Sequence, residues 1–381
     1  MLLNIKSILK KLSSVHPAGN ILGVDFGSSS VKIAALKKTG ESFQLVNCGI
    51  VPSPAGAKPL MEMEMEERAE LVKRLKDFLS SAKVKTKPAG VSVMGSSVIV
   101  RYVKLPKMPD DELAKSLRFE AEEFIPFDIS DVYLSAELIK DVEEEGQVKA
   151  ESVLVAAKKE IVDERIELLK NIGLDPVLVD VDSFCVNNIY EHCSPSYREE
   201  NVMILNIGAN MTTLSISDHG VVRVVRDVSF GGGTLSKLVM DAFACDFPKA
   251  EALKIQYGIV PSTELETMAD AETAEQVTSA LIQSVDDQLL TEIQRSVDYF
   301  NTISTASEGI KKIVLSGGGA NLKNLDKYLA HQIDIPVEIF NPLDFIDHPD
   351  DAALAENAAA FAVAIGLAMR QAGDSKSIRA V

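Results

Sequence analysis

One pattern occurs twice in this chain, and it restricts the fold more than any other feature. Ile21-Leu22-Gly23-Val24-Asp25-Phe26-Gly27 runs into Ser28-Ser29-Ser30 and then into Val31-Lys32-Ile33-Ala34-Ala35-Leu36. Lys38-Thr39-Gly40-Glu41 then turns the chain before Phe43 to Cys48, so the segment reads as a three-strand meander with tight polar turns. The plan returns at Val202 to Ile207, which leads through Gly208-Ala209-Asn210-Met211-Thr212 to Leu214 and Ile216. Ser217-Asp218-His219-Gly220 turns it into Val221 to Val225. Asp25-Phe26-Gly27 thus corresponds to Asn206-Ile207-Gly208. Such repetition predicts two copies of one domain plan rather than one continuous sheet.

A chain of 381 residues with 46% hydrophobic content can build two or more domains, each with its own core. The segment 89–174 has strands and helices of its own: strand-like runs from Ala89 to Val103, a helix from Asp110 to Phe124 after Pro106 and Pro109, further strands at Val132 to Ile139 and Val153 to Ala157, and a helix from Ile161 to Ile172 stopped by Gly173. It reads as a small α+β subdomain inserted into the first copy, which then comprises 20–88 and 175–200. The second copy spans 201–370 with a helical part near 246–309, and 371–381 is a polar tail. Helices are also expected over Met65 to Ala82, Asp182 to Tyr190, Gly231 toward Phe243, Pro248 to Tyr257, Ala274 to Ser304, Asn321 to Ala330 and Ala352 to Met369.

Composition removes several function classes. With 39 basic against 56 acidic residues and a net charge of -17, the body as a whole is not built to attract nucleic acid or an anionic membrane. It suits basic or metal-shielded partners instead. Cys48, Cys185, Cys193 and Cys245 have no paired CxxC spacing and read as reduced thiols. No apolar run approaches the roughly 20 residues needed to cross a bilayer, so the folded body reads as cytoplasmic. In 1–19, Leu2, Ile5, Leu9 and Leu12 form a helical stripe while Lys6, Lys10 and Lys11 lie away from it. The segment fits either a membrane surface or a packed protein partner.

Tight glycine and serine turns hold phosphates best, because backbone N–H groups then approach the anion without a Cβ in the way. Gly23-x-Asp25-x-Gly27-Ser28-Ser29-Ser30 has this character. Asp25 can hold Mg2+ directly or through water, Gly27 permits the turn, Ser28, Ser29 and Ser30 offer donors, and Lys32 lies within reach. Each also has a plain structural reading as a hairpin glycine, a turn cap or an exposed lysine. A third cluster, Gly317-Gly318-Gly319, follows a strand-like run, Ile313 to Ser316, and precedes a helix that Asn321 could cap. No GxxxxGK[ST] sequence is present, so a P-loop enzyme is excluded.

These segments resemble the superfamily of actin, sugar kinases and heat-shock ATPases, in its FtsA-like branch. Within that branch, Arg118-Phe119-Glu120-Ala121-Glu122-Glu123-Phe124-Ile125-Pro126-Phe127 resembles a stretch found in the inserted subdomain of the PilM-like pilus-assembly family. The resemblance covers about Asn20 to Met369. It implies an α/β fold of duplicated actin-like ATPase (ribonuclease H-like) domains with an inserted subdomain, enclosing ATP or ADP with Mg2+. By likeness, Asp25 to Ser30 is the first phosphate loop and Gly208, Ala209, Asn210 and Thr212 belong to the second. Glu251 and Lys254 contact base or ribose, and Gly317 to Asn321 form the adenosine-side loop. The resemblance further implies a cytoplasmic adaptor, peripheral at the inner membrane, that takes the cytoplasmic N-terminal tail of a PilN-like protein. Such an adaptor links the inner-membrane alignment complex to the cytoplasmic motor apparatus, and self-association stays open.

One departure bears on turnover. The superfamily commonly has an aspartate where Asn206 stands, and often another where this chain has Leu214. An asparagine amide can orient water but supplies neither the anionic field nor a general base. Asp25 and Asn206 are the catalytic candidates, with ATP bound and its hydrolysis weak or absent. Two other classes fit the same fold: a small-molecule kinase, which needs a carboxylate near the γ-phosphate, and an FtsA-like filament-forming membrane-associated protein.

Overall fold

A computed structural model of the chain describes residues 20–40, 42–107, 116, 119, 121–144, 146–304 and 308–370. The expected N-terminal segment 1–19, most of the expected helix between Asp110 and Phe124, Arg118 and Glu120 of the quoted stretch, and the tail 371–381 lie outside the described residues.

The chain opens with strands β1 (Leu22–Phe26), β2 (Ser30–Thr39), β3 (Ser42–Pro52) and β4 (Pro88–Val93). Strands β5 (Val98–Pro106), β6 (Val132–Glu144) and β7 (Gln147–Lys158) follow, then β8 (Asp175–Val181). Later come β9 (Val202–Ile207), β10 (Thr212–Asp218), β11 (Val221–Val228), β12 (Lys312–Ser316) and β13 (Val337–Ile339). Two five-stranded sheets result, ordered β3-β2-β1-β4-β8 and β11-β10-β9-β12-β13. In each, an antiparallel meander supplies three strands and two parallel strands are added on the far side of the first. The duplicated sequence pattern therefore becomes two lobes of one topology.

Every residue of β1 is buried, because helices cover both faces of its sheet. One cover is the chain's last described helix, Ala362–Ala368, whose small side chains let its backbone lie directly on β1. A Cβ at Gly23 would stand 1.9 Å from the Ala364 carbonyl oxygen, and one at Gly366 would stand 2.1 Å from that of Cys185. The second copy thus ends in a helix packed on the first lobe, and residues 21 to 45 share a core with residues 354 to 368.

The inserted unit is a three-stranded antiparallel sheet, β5-β7-β6. Its span is narrower than the expected 89–174. β4 pairs in parallel with β1 and β8 and so belongs to the first lobe, leaving 98–158 for the separate sheet. The helix Lys159–Asn171 after β7 packs back into the first-lobe core through Val162, Ile166 and Leu169. β6 and β7 also extend well past the expected Val132 to Ile139 and Val153 to Ala157, and near their joined ends Glu144 pairs with Lys104 and Lys149 at 2.8 Å each.

Most helices begin and end as expected, including Met65–Ser81 and Phe247–Tyr257. The long helix runs from Ala271 to Ile303 through a π-helical stretch at Val285–Leu290. Ala352 to Met369 is not one helix: Ala352–Glu356, a 3₁₀ turn at Ala358–Phe361 and Ala362–Ala368 follow in succession. The break lets the Ala359 carbonyl accept from Gly317 N at 2.9 Å, holding the third glycine loop. The helix expected from Asn321 starts instead at Leu325, after a 3₁₀ turn at Gly318–Asn321. Asn321 caps nothing; its Nδ2 donates to the Glu356 carbonyl at 3.1 Å. All four cysteines are free, and no described helix is long and apolar enough to cross a membrane.

Candidate functional site

In the first lobe the β1–β2 turn sets the chemistry. Asp25 lies opposite Lys32 in the register, so the two side chains flank the turn from Gly27 to Ser30. Lys32 Nζ stands 3.7 Å from Asp25 Oδ2 and 3.4 Å from the Ser30 carbonyl oxygen. A Cβ at Gly27 would fall 2.8 Å from that ammonium, so glycine keeps the lysine over the turn. Ser28 and Ser30 are half-buried and Ser29 is exposed.

Burial raises the pKa of the Asp25 carboxyl, against the opposing pull of Lys32 and Arg165. A second carboxylate completes this wall. Asp182, first residue of the helix Asp182–Cys193 that follows β8, is pushed up to about 7, chiefly by burial and then by the negative charge of Asp25. The Ser92 hydroxyl and Arg165 hold it down. Arg165 is itself buried, its guanidinium 5.4 Å from the Phe26 ring, and its Nε and Nη1 have no hydrogen-bond partner among the described residues. A buried cation with unpaired N–H groups is costly, so the site is matched to an anion or to ordered water.

In the second lobe the Gly208 turn is closed by Gly208 N donating to Met211 O at 2.9 Å. The helix Gly232–Phe243 starts against it, with Gly232 N bonded to Gly208 O at 2.9 Å and Gly233 N to Ala209 O at 2.6 Å. A Cβ at Gly231 would lie 2.6 Å from Ala209 O, so the tight contact needs glycine. Thr212 is fully buried and its hydroxyl donates to Phe230 O at 2.8 Å, which makes it a brace rather than an open donor. Lys254 Nζ donates to Gly232 O, Ser236 Oγ and Glu251 Oε2 at 2.9, 2.9 and 2.7 Å, so the expected Glu251–Lys254 pair stands beside the same glycines. Gly317 has φ +81°, and a Cβ there would meet Ile207 O at 2.4 Å and Asn206 Oδ1 at 2.7 Å. Asn206 is thereby brought to the third loop, where Gly318 is exposed and a Cβ on it would touch only Ala360, at 3.9 Å. Leu214 is fully buried in the second-lobe core.

The two walls meet. Asn210 Nδ2 donates to the Ala57 carbonyl of the first lobe. Asp227 of β11, whose pKa burial raises, accepts from Thr213 Oγ1 at 3.1 Å and from the Gly95 amide in the β4–β5 turn. Its negative charge also helps to raise the pKa of Asp182 across the lobe boundary. Among the described residues no three His, Cys, Asp or Glu side chains could hold a metal by themselves. A divalent ion there needs phosphate oxygens as further ligands. Lys32, Arg165, the glycine turns and the carboxylates of Asp25 and Asp182 fit a magnesium-bound polyphosphate on that basis.

Asp182, Asp227, Ser92 and Arg165 escape the sequence reading. Asp182 left a signal: an aspartate ending the apolar run Val177-Leu178-Val179-Asp180-Val181, where a parallel strand delivers side chains to a crevice. Arg165, in an amphipathic helix among other charged residues, left none.

A cavity of about 230 Å³ lies at the junction of three parts. Tyr102, Ile139 and Val153 line it from the inserted sheet, Phe184, Asn187, Asn188 and Glu191 from the helix Asp182–Cys193, and Gly220, Val221 and Val222 from the β10–β11 hairpin. Asn187 is fixed by bonds to Ser183 O, Ser215 Oγ and the Tyr197 hydroxyl, at 2.7, 2.8 and 2.6 Å.

The family model described as type IV pilus assembly protein PilM matches residues 23–372. A solved PilM-PilN type IV pilus biogenesis complex aligns with TM-score 0.77 and 26% identity, over 93% of this chain and 99% of that one. The cell division protein FtsA of Buchnera aphidicola subsp. Baizongia pistaciae (strain Bp) is 25% identical over 162 residues, 38% of this chain and 38% of that protein. The match thus spans less than half the length of that curated relative. The paired sheets are those of the actin-like ATPase fold.

Proposed function

The chain belongs to the PilM family of type IV pilus assembly proteins, whose model covers residues 23–372, and from that premise we propose that it is a cytoplasmic, nucleotide-binding adaptor of the inner-membrane pilus assembly complex. ATP with Mg2+ lies between the lobes, and the N-terminal cytoplasmic tail of a PilN-like protein docks on the first lobe and its insertion. The observation that carries the reading is the cleft itself: Asp25, Lys32, Asp182 and Arg165 on one wall and the Gly208 and Gly317 loops on the other.

Lys32 and the turn Gly27 to Ser30 bind phosphate from the first lobe, while the second lobe contributes the Gly208 turn, the open backbone of Gly318 and the Glu251–Lys254 pair toward base or ribose. Asp25 is the side chain that would hold Mg2+, directly or through water, and the ion supplies charge neutralisation between phosphates. A ligand touching both lobes favours their closed arrangement, and it shifts tail affinity wherever the tail prefers one arrangement. The cavity between insertion and first lobe supports docking there, and the alignment along 93% of the chain with a protein solved in a PilM-PilN complex supports the choice of partner. Through this tail the adaptor joins the inner-membrane alignment complex, and the motor apparatus reads its state.

Asp182 favours a second reading, slow turnover. A carboxylate titrating near 7 inside the cleft is suited to orient or deprotonate a water. Asn206 withholds the second charge, so phosphate release stays slow. The test is pull-down of the full chain by an immobilised peptide copying the PilN-like tail, with ATP, ADP or no nucleotide. Selective capture in one nucleotide state supports the adaptor. Equal capture in all three states, or phosphorylation of a hydroxylated metabolite in place of capture, refutes it.

A further inference from the structure

The cavity has walls from both lobes, and one ion pair spans its margin. Arg223 of β11 donates from Nη1 to Glu151 Oε1 of β7 at 2.9 Å, with Asp218 Oδ2 3.8 Å from its Nε. The same guanidinium stands 5.8 Å from the ring centroid of Tyr102, a lining residue of the cavity. Arg223 and Glu151 are 15% and 13% exposed, dry enough for their charges to count. Glu151 Oε2 is buried without a hydrogen bond among the described residues, and Lys140 Nζ is 3.9 Å away. Without Arg223 the carboxylate keeps, among the described residues, only that distant cation within 4 Å.

Deeper in the same seam, Asn187 of the first lobe is bonded to Ser215 of β10 in full burial. The hairpin is therefore held at its base and reaches the insertion at its margin, so a small rotation of the second lobe changes the margin most. We propose that this β10–β11 hairpin is the moving third wall of the tail cavity, and that the Arg223–Glu151 pair sets how far it opens, so that tail affinity reports lobe position. The inference rests on the nucleotide cleft and docking cavity assigned above. The occupant is an extended peptide with an apolar side chain for the Tyr102, Val153 and Phe184 surface. The Nδ2 of Asn188 lacks a partner among the described residues and is the polar group of the lining that would bond a peptide carbonyl, while Glu191 is already paired with Arg198.

The test uses the full chain and a fluorescent peptide copying the cytoplasmic N-terminal segment of the PilN-like protein, titrated with Mg-AMPPNP and without nucleotide. The wild type should show an affinity ratio between the two states of about fivefold or more. Arg223→Glu and Glu151→Arg should each bring that ratio to within about twofold of unity, and the R223E/E151R swap should restore at least about half of its logarithm, Asp218 remaining as a like charge beside Glu at 223. Single variants that keep the wild-type ratio, a swap that restores nothing, or a wild type with no ratio overturn the proposal. Asn188→Trp, which fills the cavity, separates the premise: unchanged peptide affinity means the tail docks elsewhere, whereas weakened affinity with an unaltered ratio in R223E means the docking site stands and the latch does not.

Discussion

Replacing Asp25 by asparagine keeps the shape of the side chain and removes one charge from the cleft. In the native arrangement that charge faces Lys32 Nζ at 3.7 Å, with 12% and 13% of the two side chains exposed. At an effective dielectric of about 20 the pair's gross attraction is about 4 kcal/mol, most of it offset by desolvation. The net value of a charge-assisted contact, about 1.5 to 3 kcal/mol, is the part at stake for a magnesium ion held beside Asp25. Asp25→Asn should therefore weaken ATP binding in the presence of Mg2+ by about tenfold to a hundredfold. Without a divalent ion the sign reverses, because an anion no longer approaches a like charge, and ATP in EDTA should bind as tightly as to the wild type or more so. The readout is the ratio of calorimetric affinities with and without Mg2+. A ratio within twofold of the wild-type ratio would remove Asp25 from any role with the metal. Asp25→Ala should show the same loss with Mg2+, with added disturbance of Lys32 packing.

Gly317→Ala should cost about 2 to 4 kcal/mol, since residue 317 has φ +81° and the new Cβ would stand 2.4 Å from Ile207 O; an unmoved denaturation midpoint would contradict this. Lys254→Met removes three hydrogen bonds and should weaken ATP about tenfold while leaving pyrophosphate affinity unchanged, so equal losses for both ligands would refute a role at base or ribose. Asp182→Asn should abolish residual phosphate release yet keep ATP affinity within about threefold; turnover that survives in the purified variant would exclude Asp182 as the base. Asn206→Asp should raise phosphate release by about tenfold or more, and no change would mean that the neutral amide is not what keeps turnover low.

The lobes were legible because each is announced locally. Short apolar runs at Val31 to Leu36 and again at Val202 to Ile207, each beside a glycine turn and each mostly buried, identify strand and turn without knowledge of their neighbours. The glycines of the three loops were legible for the same reason, although the partners they approach were not. Thr212 read as part of the second phosphate loop, yet its hydroxyl is spent on Phe230; Asn321 read as a cap, yet it bonds Glu356. In both cases a partner distant in sequence outcompeted the local role.

By itself the sequence determined the duplication, the glycine turns, the placement of Asp25 and Lys32 on the two sides of the first turn, and the family to which these belong. Only the tertiary structure decided that Asp182, Ser92 and Arg165 stand with Asp25. β4 inserts between β1 and β8 and delivers Ser92 between two aspartates that lie far apart in the chain, while the returning helix carries Arg165 beneath them. The same holds for the cavity, whose walls come from three separate stretches. Local pattern encodes strand and turn because those energies are set within a few residues. Burial, charge coupling and cavities depend on which strands pair, and that is settled only when the two sheets and the insertion close on one another.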